Sequence, residues 1–283
     1  MNRNAAIGLF DSGVGGLSVA REVYRQLPAE STVYFGDTAH VPYGPRSSKE
    51  LIHFTGQITA FLQEQGVKYI VVACNTSSSV SLPVLRERCK VRLIGLIEPG
   101  VTEALGKTVN GKIGVIATEA TIRSGAYEQG LKKLGKDIEV FSRAAPRLVP
   151  LVESGKIDAL CVKEALREYL FPLQQAGIDT LILGCTHYPF LSRQIEDELG
   201  SGVRLVDPAS ATVRAAKEEL HRLGLAAEGM SPARHCFYVS SGPAAFRAAA
   251  GQFLKGDIGH VQQVVLSAST GEPLTRIDIP END

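Results

Sequence analysis

Two stretches of the sequence read alike: YIVVACNT at residues 69–76 and TLILGCTH at residues 180–187. Each is a short apolar run that ends in a cysteine and is followed by residues suited to the start of a helix. Runs with almost no polar side chains are typical of strands buried on both faces of a parallel sheet. Each stretch therefore predicts a strand that delivers a cysteine to the carboxyl edge of a sheet.

Short apolar runs alternate with stretches of helical length over the rest of the chain, which predicts an α/β fold. The predicted strands are 5–10, 32–35, 69–72, 92–96, 112–116, 138–141, 180–183, 204–206, 236–239 and 261–265. The predicted helices include 17–26, 49–65, 120–134, 158–175 and 209–223.

A second pair of similar stretches, AIGLFDS at 6–12 and KIGVIAT at 112–118, precedes the cysteine pair at nearly the same spacing. Chance similarity between α/β units is the weaker interpretation, because both pairs place polar or thiol groups at matching strand ends. We therefore expect two pseudo-symmetric domains, each with a mainly parallel sheet flanked by helices, and an active site in the cleft between them. Breaks at Glu98-Pro99-Gly100, where Pro and Gly are expected to end the fourth strand, and near Asp207-Pro208 predict a first domain of 1–98 plus 210–283 and a second of 99–209.

The 283 residues carry 30 basic and 30 acidic side chains, and this balance argues against a general nucleic-acid binder. No apolar run approaches the roughly 18 residues that span a bilayer, and neither terminus resembles a secretory or lipidation signal. We expect a cytoplasmic protein that does not bind membranes. Five cysteines without a Cys-x-x-Cys pair predict free thiols rather than a disulfide framework or a metal site.

Small polar residues follow the first predicted strand in Asp11-Ser12-Gly13-Val14-Gly15-Gly16. The glycines allow close backbone approach and the following helix offers free N–H groups. The spacing fits neither a Walker loop nor a dinucleotide fingerprint. Taken alone, the segment is best interpreted as a structural turn capped by Asp11.

The two cysteine segments are more informative as a pair than singly. A lone cysteine after an apolar strand is usually an inert core thiol, but two at matched strand ends indicate a shared site. Cys74 beside a helix start is expected to have a pKa below its usual value of roughly 8.5, and His187, two residues after Cys185, suits proton transfer near neutral pH. The remaining cysteines are interpreted as structural; they are Cys89, Cys161 and Cys236.

The Pro- and Gly-rich segment at 36–46, GDTAHVPYGPR, is typical of a shaped binding loop. His40 and Arg46 within it are also compatible with simple exposure to solvent.

Together these segments resemble glutamate racemases of the cofactor-independent aspartate/glutamate racemase superfamily. The matching stretches are 7–16, 36–38, 42–44, 73–76, 97–100, 121–125, 149–153 and 183–191, with weaker similarity at 241–242, 246 and 253–254. The combination is highly specific, although any single stretch is weak.

The resemblance implies that L- or D-glutamate binds between two α/β domains without a cofactor or metal. It implies that Cys74 and Cys185 are the catalytic thiols, with Cys185 acting on the L-enantiomer and Cys74 on the D-enantiomer. It further implies that Asp11 and His187 assist proton transfer and that Glu153 is another acidic group of the site. The implied substrate-binding residues are Asp11, Ser12, Pro42, Tyr43, Gly44, Cys74, Asn75, Thr76, Cys185, Thr186 and His187.

The family also implies a homodimer that supplies D-glutamate for peptidoglycan synthesis. One departure is Ala145-Pro146-Arg147, where many relatives have a Cys-Pro pair, and it leaves the packing near Glu153 open. Three other functions remain open: a racemase for aspartate or another amino acid, a two-domain binding protein without chemistry, and a hydrolase that uses Cys185 with His187.

Overall fold

The computed structural model describes residues 2–155, 157, 159–229 and 232–266. Within these residues the chain forms ten strands, all paired in parallel. The strands are β1 (Ile7–Asp11), β2 (Thr32–Gly36), β3 (Tyr69–Val72), β4 (Arg92–Gly95), β5 (Lys112–Ala117), β6 (Glu139–Ala144), β7 (Thr180–Gly184), β8 (Arg204–Val206), β9 (His235–Val239) and β10 (Val261–Gln263).

Helices flank both sheets, as parallel connections require. They are α1 (Leu17–Gln26), α2 (Ser48–Glu64), α3 (Asn75–Val80), α4 (Leu82–Arg88), α5 (Ile97–Lys107), α6 (Glu119–Arg123), α7 (Ala126–Leu134), α8 (Leu148–Glu153), α9 (Leu160–Gln175), α10 (Ser192–Leu199), α11 (Pro208–Arg222) and α12 (Pro243–Leu254), with a short 3₁₀ helix at Tyr188–Leu191. The α/β class predicted from the sequence is confirmed.

The strands form two sheets, and their order shows the repeat directly. One sheet has the order β10-β9-β2-β1-β3-β4 and the other has the order β6-β5-β7-β8. The segment β2-β1-β3-β4 therefore has the same arrangement as β6-β5-β7-β8. The strands that precede the two cysteines, β3 and β7, occupy equivalent positions beside β1 and β5.

Alternating side chains of the first sheet enter two separate cores, as the period of a strand dictates. Leu9 and Val71 pack on the face covered by α1, α11 and α12. Phe10 and Val72, one residue along each strand, pack on the opposite face with α2 and α4. Both faces are apolar, which explains why the strands read as continuous hydrophobic runs.

The chain crosses between the sheets through α5 and α11, which pack against each other. Arg214 of α11 also pairs with Glu103 of α5 at 3.0 Å. The expectation that Pro and Gly end the fourth strand was wrong, because β4 stops at Gly95 and Pro99-Gly100 lie in the first turn of α5. The limits 1–98 with 210–283 and 99–209 stay a prediction, and residues 267–283 lie outside the described residues.

Two helix predictions need correction. The predicted helix 120–134 is two helices, α6 and α7, separated at Gly125, whose φ of +65° is left-handed. The helix predicted from residue 158 begins at Leu160 in α9; residue 158 itself lies outside the described residues.

Candidate active site

Cys74 and Cys185 open onto the same cavity between the two sheets. Cys74 follows β3 directly and is the N-cap residue of α3, whereas Cys185 follows β7. Each residue is only 5% exposed. The cavity is lined by residues of both halves, among them Ser12 and Thr76 of the first and Thr118 and Thr186 of the second. Both thiols therefore line a single cavity.

The expectation of a lowered pKa at Cys74 was wrong. Burial raises the pKa of Cys74 to about 12, and the negative charge of Asp11 adds to the increase. Hydrogen bonds from Ser77 lower the pKa by less than burial raises it. The short helix therefore cannot outweigh the cost of placing a charged sulfur in a nearly closed cavity. Cys74 rests as a neutral thiol.

His187 links Cys185 to a carboxylate. Its Nδ1 lies 3.6 Å from Cys185 Sγ, and its Nε2 lies 2.6 Å from Glu153 Oε1. Burial disfavours the charged imidazolium, but the hydrogen bonds with Cys185 and Glu153 outweigh this and hold the pKa of His187 well above its usual value. Burial likewise tends to raise the pKa of Glu153, yet the contact with His187 lowers it overall. A positive charge therefore lies beside Cys185 at neutral pH.

Asp11 caps the turn that follows β1, as expected, and also contacts Thr186, which lines the cavity. It is fully buried, and its Oδ2 accepts hydrogen bonds from the backbone N–H groups of Gly13 and Gly16. Its Oδ1 accepts a hydrogen bond of 3.2 Å from the Thr186 hydroxyl of the other half. Burial raises the pKa of Asp11, while the charge of His187 and the two N–H groups partly oppose the increase.

Gly15 explains why the turn after β1 needs glycine. A Cβ atom at Gly15 would lie 2.5 Å from the His187 ring and 2.6 Å from Thr186 Oγ1. The close backbone approach that the sequence suggested is therefore an approach to the opposite half of the molecule. The Ser18 hydroxyl strengthens the same junction through a contact of 3.2 Å with the Thr186 carbonyl.

Most residues predicted to bind substrate line the cavity. They are Ser12, Pro42, Tyr43, Gly44, Cys74, Asn75, Thr76, Cys185, Thr186 and His187. Asp11 and Glu153 do not line it but contact residues that do. Their roles in binding and catalysis stay predictions.

Five further residues line the cavity that sequence reasoning missed: Pro45, Thr118, Glu119, Pro146 and Val149. Thr118 had a usable signal, because the repeat aligns it with Ser12. Its hydroxyl lies 2.8 Å from that of Thr76 and 3.0 Å from that of Thr121, so threonines of both halves meet beside the Cys74 segment.

The loop between β2 and α2 is ordered around Asp37. The Tyr43 hydroxyl donates to Asp37 Oδ2 at 2.6 Å, and His40 Nδ1 lies 2.8 Å from Asp37 Oδ1. The His40 ring stacks on Phe54 with 4.0 Å between centroids, and Arg46 lies over the same ring. His40 and Arg46 are partly buried and shape the loop, while Tyr43 lines the cavity.

The segment that departs from the family pattern packs without disruption. Ala145 is fully buried, and its carbonyl accepts a hydrogen bond of 3.0 Å from the Tyr188 hydroxyl. All five cysteines are free. Cys89 and Cys161 are partly buried, whereas Cys236 is exposed, and the structural role expected of all three stays a prediction.

The described part of the chain contains no helix long and apolar enough to cross a membrane. It also contains no cluster of three or more histidine, cysteine or acidic side chains suited to a metal ion.

Comparison with known proteins agrees with the geometry. The sequence profile described as Asp/Glu/Hydantoin racemase matches residues 7–216. The chain belongs to this racemase family. It is 53% identical over 266 residues to a glutamate racemase of Desulforudis audaxviator, covering 92% of this chain and 97% of that protein.

Solved structures of the family have the same fold. Glutamate racemase RacE1 of Bacillus anthracis superposes with a TM-score of 0.89 at 40% identity, covering 93% of this chain and 98% of that chain. The Francisella tularensis glutamate racemase, solved with D-glutamate, gives 0.88 at 36% identity and covers 94% and 99%. The resemblance inferred from the motifs is confirmed, and the protein is an isomerase of the amino-acid racemase type.

Proposed function

We propose that this protein interconverts L- and D-glutamate, with Cys74 and Cys185 acting as acid and base on opposite faces of the α-carbon. The observation that supports the proposal is that Cys74 and Cys185 follow equivalent strands of the two sheets and line the same cavity. Glutamate is chosen as substrate because the relatives that match over nearly the whole chain are glutamate racemases.

In the L-to-D direction the Cys185 thiolate takes the α-proton, forming an S–H bond and leaving the electron pair on the α-carbon. The Cys74 thiol then donates its proton to the opposite face and becomes the thiolate, and the reverse direction exchanges the two roles. The raised pKa of Cys74 keeps it protonated in the resting enzyme, as this step requires. The imidazolium of His187 stabilises the Cys185 thiolate at 3.6 Å.

The carbanion needs stabilisation, because the C–H group at the α-carbon of an amino acid is a weak acid. Cavity-lining donors suited to the α-carboxylate include the hydroxyls of Ser12 and Thr76, whereas the single proton of the Thr186 hydroxyl is donated to Asp11. The D-to-L direction starts from the opposite state, in which the proton of Cys74 has passed through water to Cys185, leaving Cys74 as the thiolate and Cys185 as the thiol. The substrate ammonium group favours this state when it lies beside Cys74, because a positive charge lowers a thiol pKa.

The test is α-proton exchange in deuterated water with a panel of L-amino acids. We expect exchange and enantiomer formation fastest with glutamate, and loss of racemisation in both Cys74→Ala and Cys185→Ala. Cys236→Ala, which removes an exposed thiol, serves as the matched control and should retain activity.

The alternatives give different results in the same experiment. An aspartate racemase would turn over aspartate faster than glutamate. A binding protein would show no exchange with any amino acid, and a Cys-His hydrolase would tolerate Cys74→Ala and form an acyl intermediate on Cys185. Activity retained in either single cysteine variant would contradict the two-thiol proposal.

We also propose that the product serves peptidoglycan synthesis in the cytoplasm and that the enzyme is a homodimer. The support is the family resemblance. Growth of a D-glutamate auxotroph on expression of this chain tests the first proposal, and sedimentation of the purified protein tests the second.

A further inference from the structure

Tyr127 of α7 joins the two cysteine segments through a single ring. Its hydroxyl donates to Oδ1 of Asn75, the residue after Cys74, at 2.5 Å. Its ring also packs against Gly184, the residue before Cys185: a Cβ atom placed there would lie 3.1 Å from Tyr127 Cε2. One side chain from the second half therefore holds a residue of the first.

The Tyr127 ring is buried and closely packed. Tyr127 is 3% exposed and packs in the core formed with Val101, Leu131 and Ile182. Burial raises the pKa of Tyr127 well above its usual value, and the charges of Asp207 and Cys185 add to the increase. The phenol remains protonated at working pH and keeps its proton available for donation.

The contact decides which end of the Asn75 amide faces the ligand. Asn75 is 2% exposed and lines the cavity. Its oxygen is occupied by Tyr127, and no hydrogen bond joins its amide nitrogen to another described residue. The two N–H groups are thus left for a ligand, and their natural acceptor is a carboxylate.

We infer that Tyr127 is a positioning residue that fixes Asn75 as a hydrogen-bond donor to the substrate carboxylate. Without the Tyr127 hydroxyl the amide can rotate, and its oxygen then faces the carboxylate, where like partial charges repel. This inference rests on the proposed function only in taking an amino-acid carboxylate as the ligand.

The test is Tyr127→Phe, which removes one hydroxyl and keeps the buried ring. Loss of one hydrogen bond predicts a rise in KM of about fivefold to tenfold, while kcat changes less than about twofold, because ground-state and transition-state binding weaken together. Tyr69→Phe is the matched control: it removes a buried hydroxyl that donates to Glu219, remote from the cavity, and should leave KM unchanged.

A double-variant cycle separates positioning from general destabilisation. In an Asn75→Ala background Tyr127→Phe should have no further effect on KM, because the amide it orients is gone. Additive effects in the double variant, or a wild-type KM in Tyr127→Phe, would overturn the inference.

The kinetics use whichever amino acid the wild-type enzyme turns over fastest. An active wild type with an unaffected Tyr127→Phe would overturn this inference alone. A wild type inert toward every amino acid would overturn the proposed function and this inference together.

Discussion

The two thiols have different neighbours although they lie at equivalent positions of the repeat. Cys185 has His187, backed by Glu153, whereas the residue equivalent to His187 in the first half is Thr76. Asp11 likewise has Ala117 as its equivalent. Cys74 thus has a buried carboxylate near it and Cys185 has an imidazole, so the two proposed half-reactions are expected to depend on different groups.

Glu153→Gln tests whether the Glu153 carboxylate keeps His187 protonated. Removing the carboxylate lowers the pKa of His187, so the imidazolium is lost at lower pH than in the wild type. We expect kcat/KM to fall by roughly tenfold at mildly alkaline pH and its alkaline limb to move to lower pH. The pH profile of kcat/KM measures this, with Glu128→Gln, on the exposed side of α7, as the control. An alkaline limb at the same pH as in the wild type would show that Glu153 does not control the protonation of His187.

Gly15→Ala tests the close approach between the halves. The added methyl group would overlap His187 and Thr186, and relief of overpacking in a close-packed interior costs about 1–3 kcal/mol. We expect a loss of activity of more than about tenfold, because small displacements of catalytic groups are costly. Gly106→Ala on α5 has open space around its Cβ and should be neutral. Equal activity of the two variants would mean that the close contact of Gly15 with His187 and Thr186 is not needed for activity.

At the scale of elements, the sequence located all ten strands of the described residues. The central strands β1, β3 and β7 were easily recognised because they are buried along their whole length. Helix α1 was predicted at its observed bounds. The break at Gly125 was missed, since an isolated glycine inside a helical pattern is usually tolerated. The raised pKa of Cys74 was also missed, because burial depends on the opposing half of the molecule rather than on local sequence.

A buried ion pair lies at the amino-terminal edge of the first sheet, opposite the edge that carries the cavity. Lys68, just before β3, lies 2.5 Å from Glu30, just before β2, and their side chains are 0% and 2% exposed. Lys68→Met leaves the Glu30 carboxylate buried without its cation, which costs about 3–5 kcal/mol in the free energy of unfolding. Urea denaturation measures this loss.

The second variant of this experiment is Lys68→Met/Glu30→Gln, which removes both charges and should recover part of the stability. The activity of the folded single variant should be unchanged, since the pair lies far from the carboxyl edge of the sheet. A single variant as stable as the wild type, or a double variant less stable than the single one, would contradict the assignment.

At the scale of the whole molecule, the site exists only where the two sheets face each other. The sequence supplied most of the lining residues: the two cysteines follow recognisable strands, whereas Pro42, Tyr43 and Gly44 came from the family resemblance. It did not supply Glu119, Pro146 or Val149, whose positions depend on how one half is oriented toward the other.

A ligand that bridges both halves should stabilise the folded protein. At a concentration 100 times its Kd, D-glutamate is expected to raise the free energy of unfolding by about 2.7 kcal/mol. Urea unfolding with and without D-glutamate measures the increase, and D-lysine, with the opposite side-chain charge, is the control. Equal stabilisation by both would show that the cavity does not recognise an acidic amino acid.

The most direct test of the two-thiol mechanism is the fate of the α-proton during early turnover in deuterated water. With a separate acid on each face, newly formed D-glutamate should carry deuterium at the α-carbon while the recovered L-glutamate keeps its proton. Transfer of the original proton to the product would mean that a single group serves both faces, and the two-thiol mechanism would then be wrong.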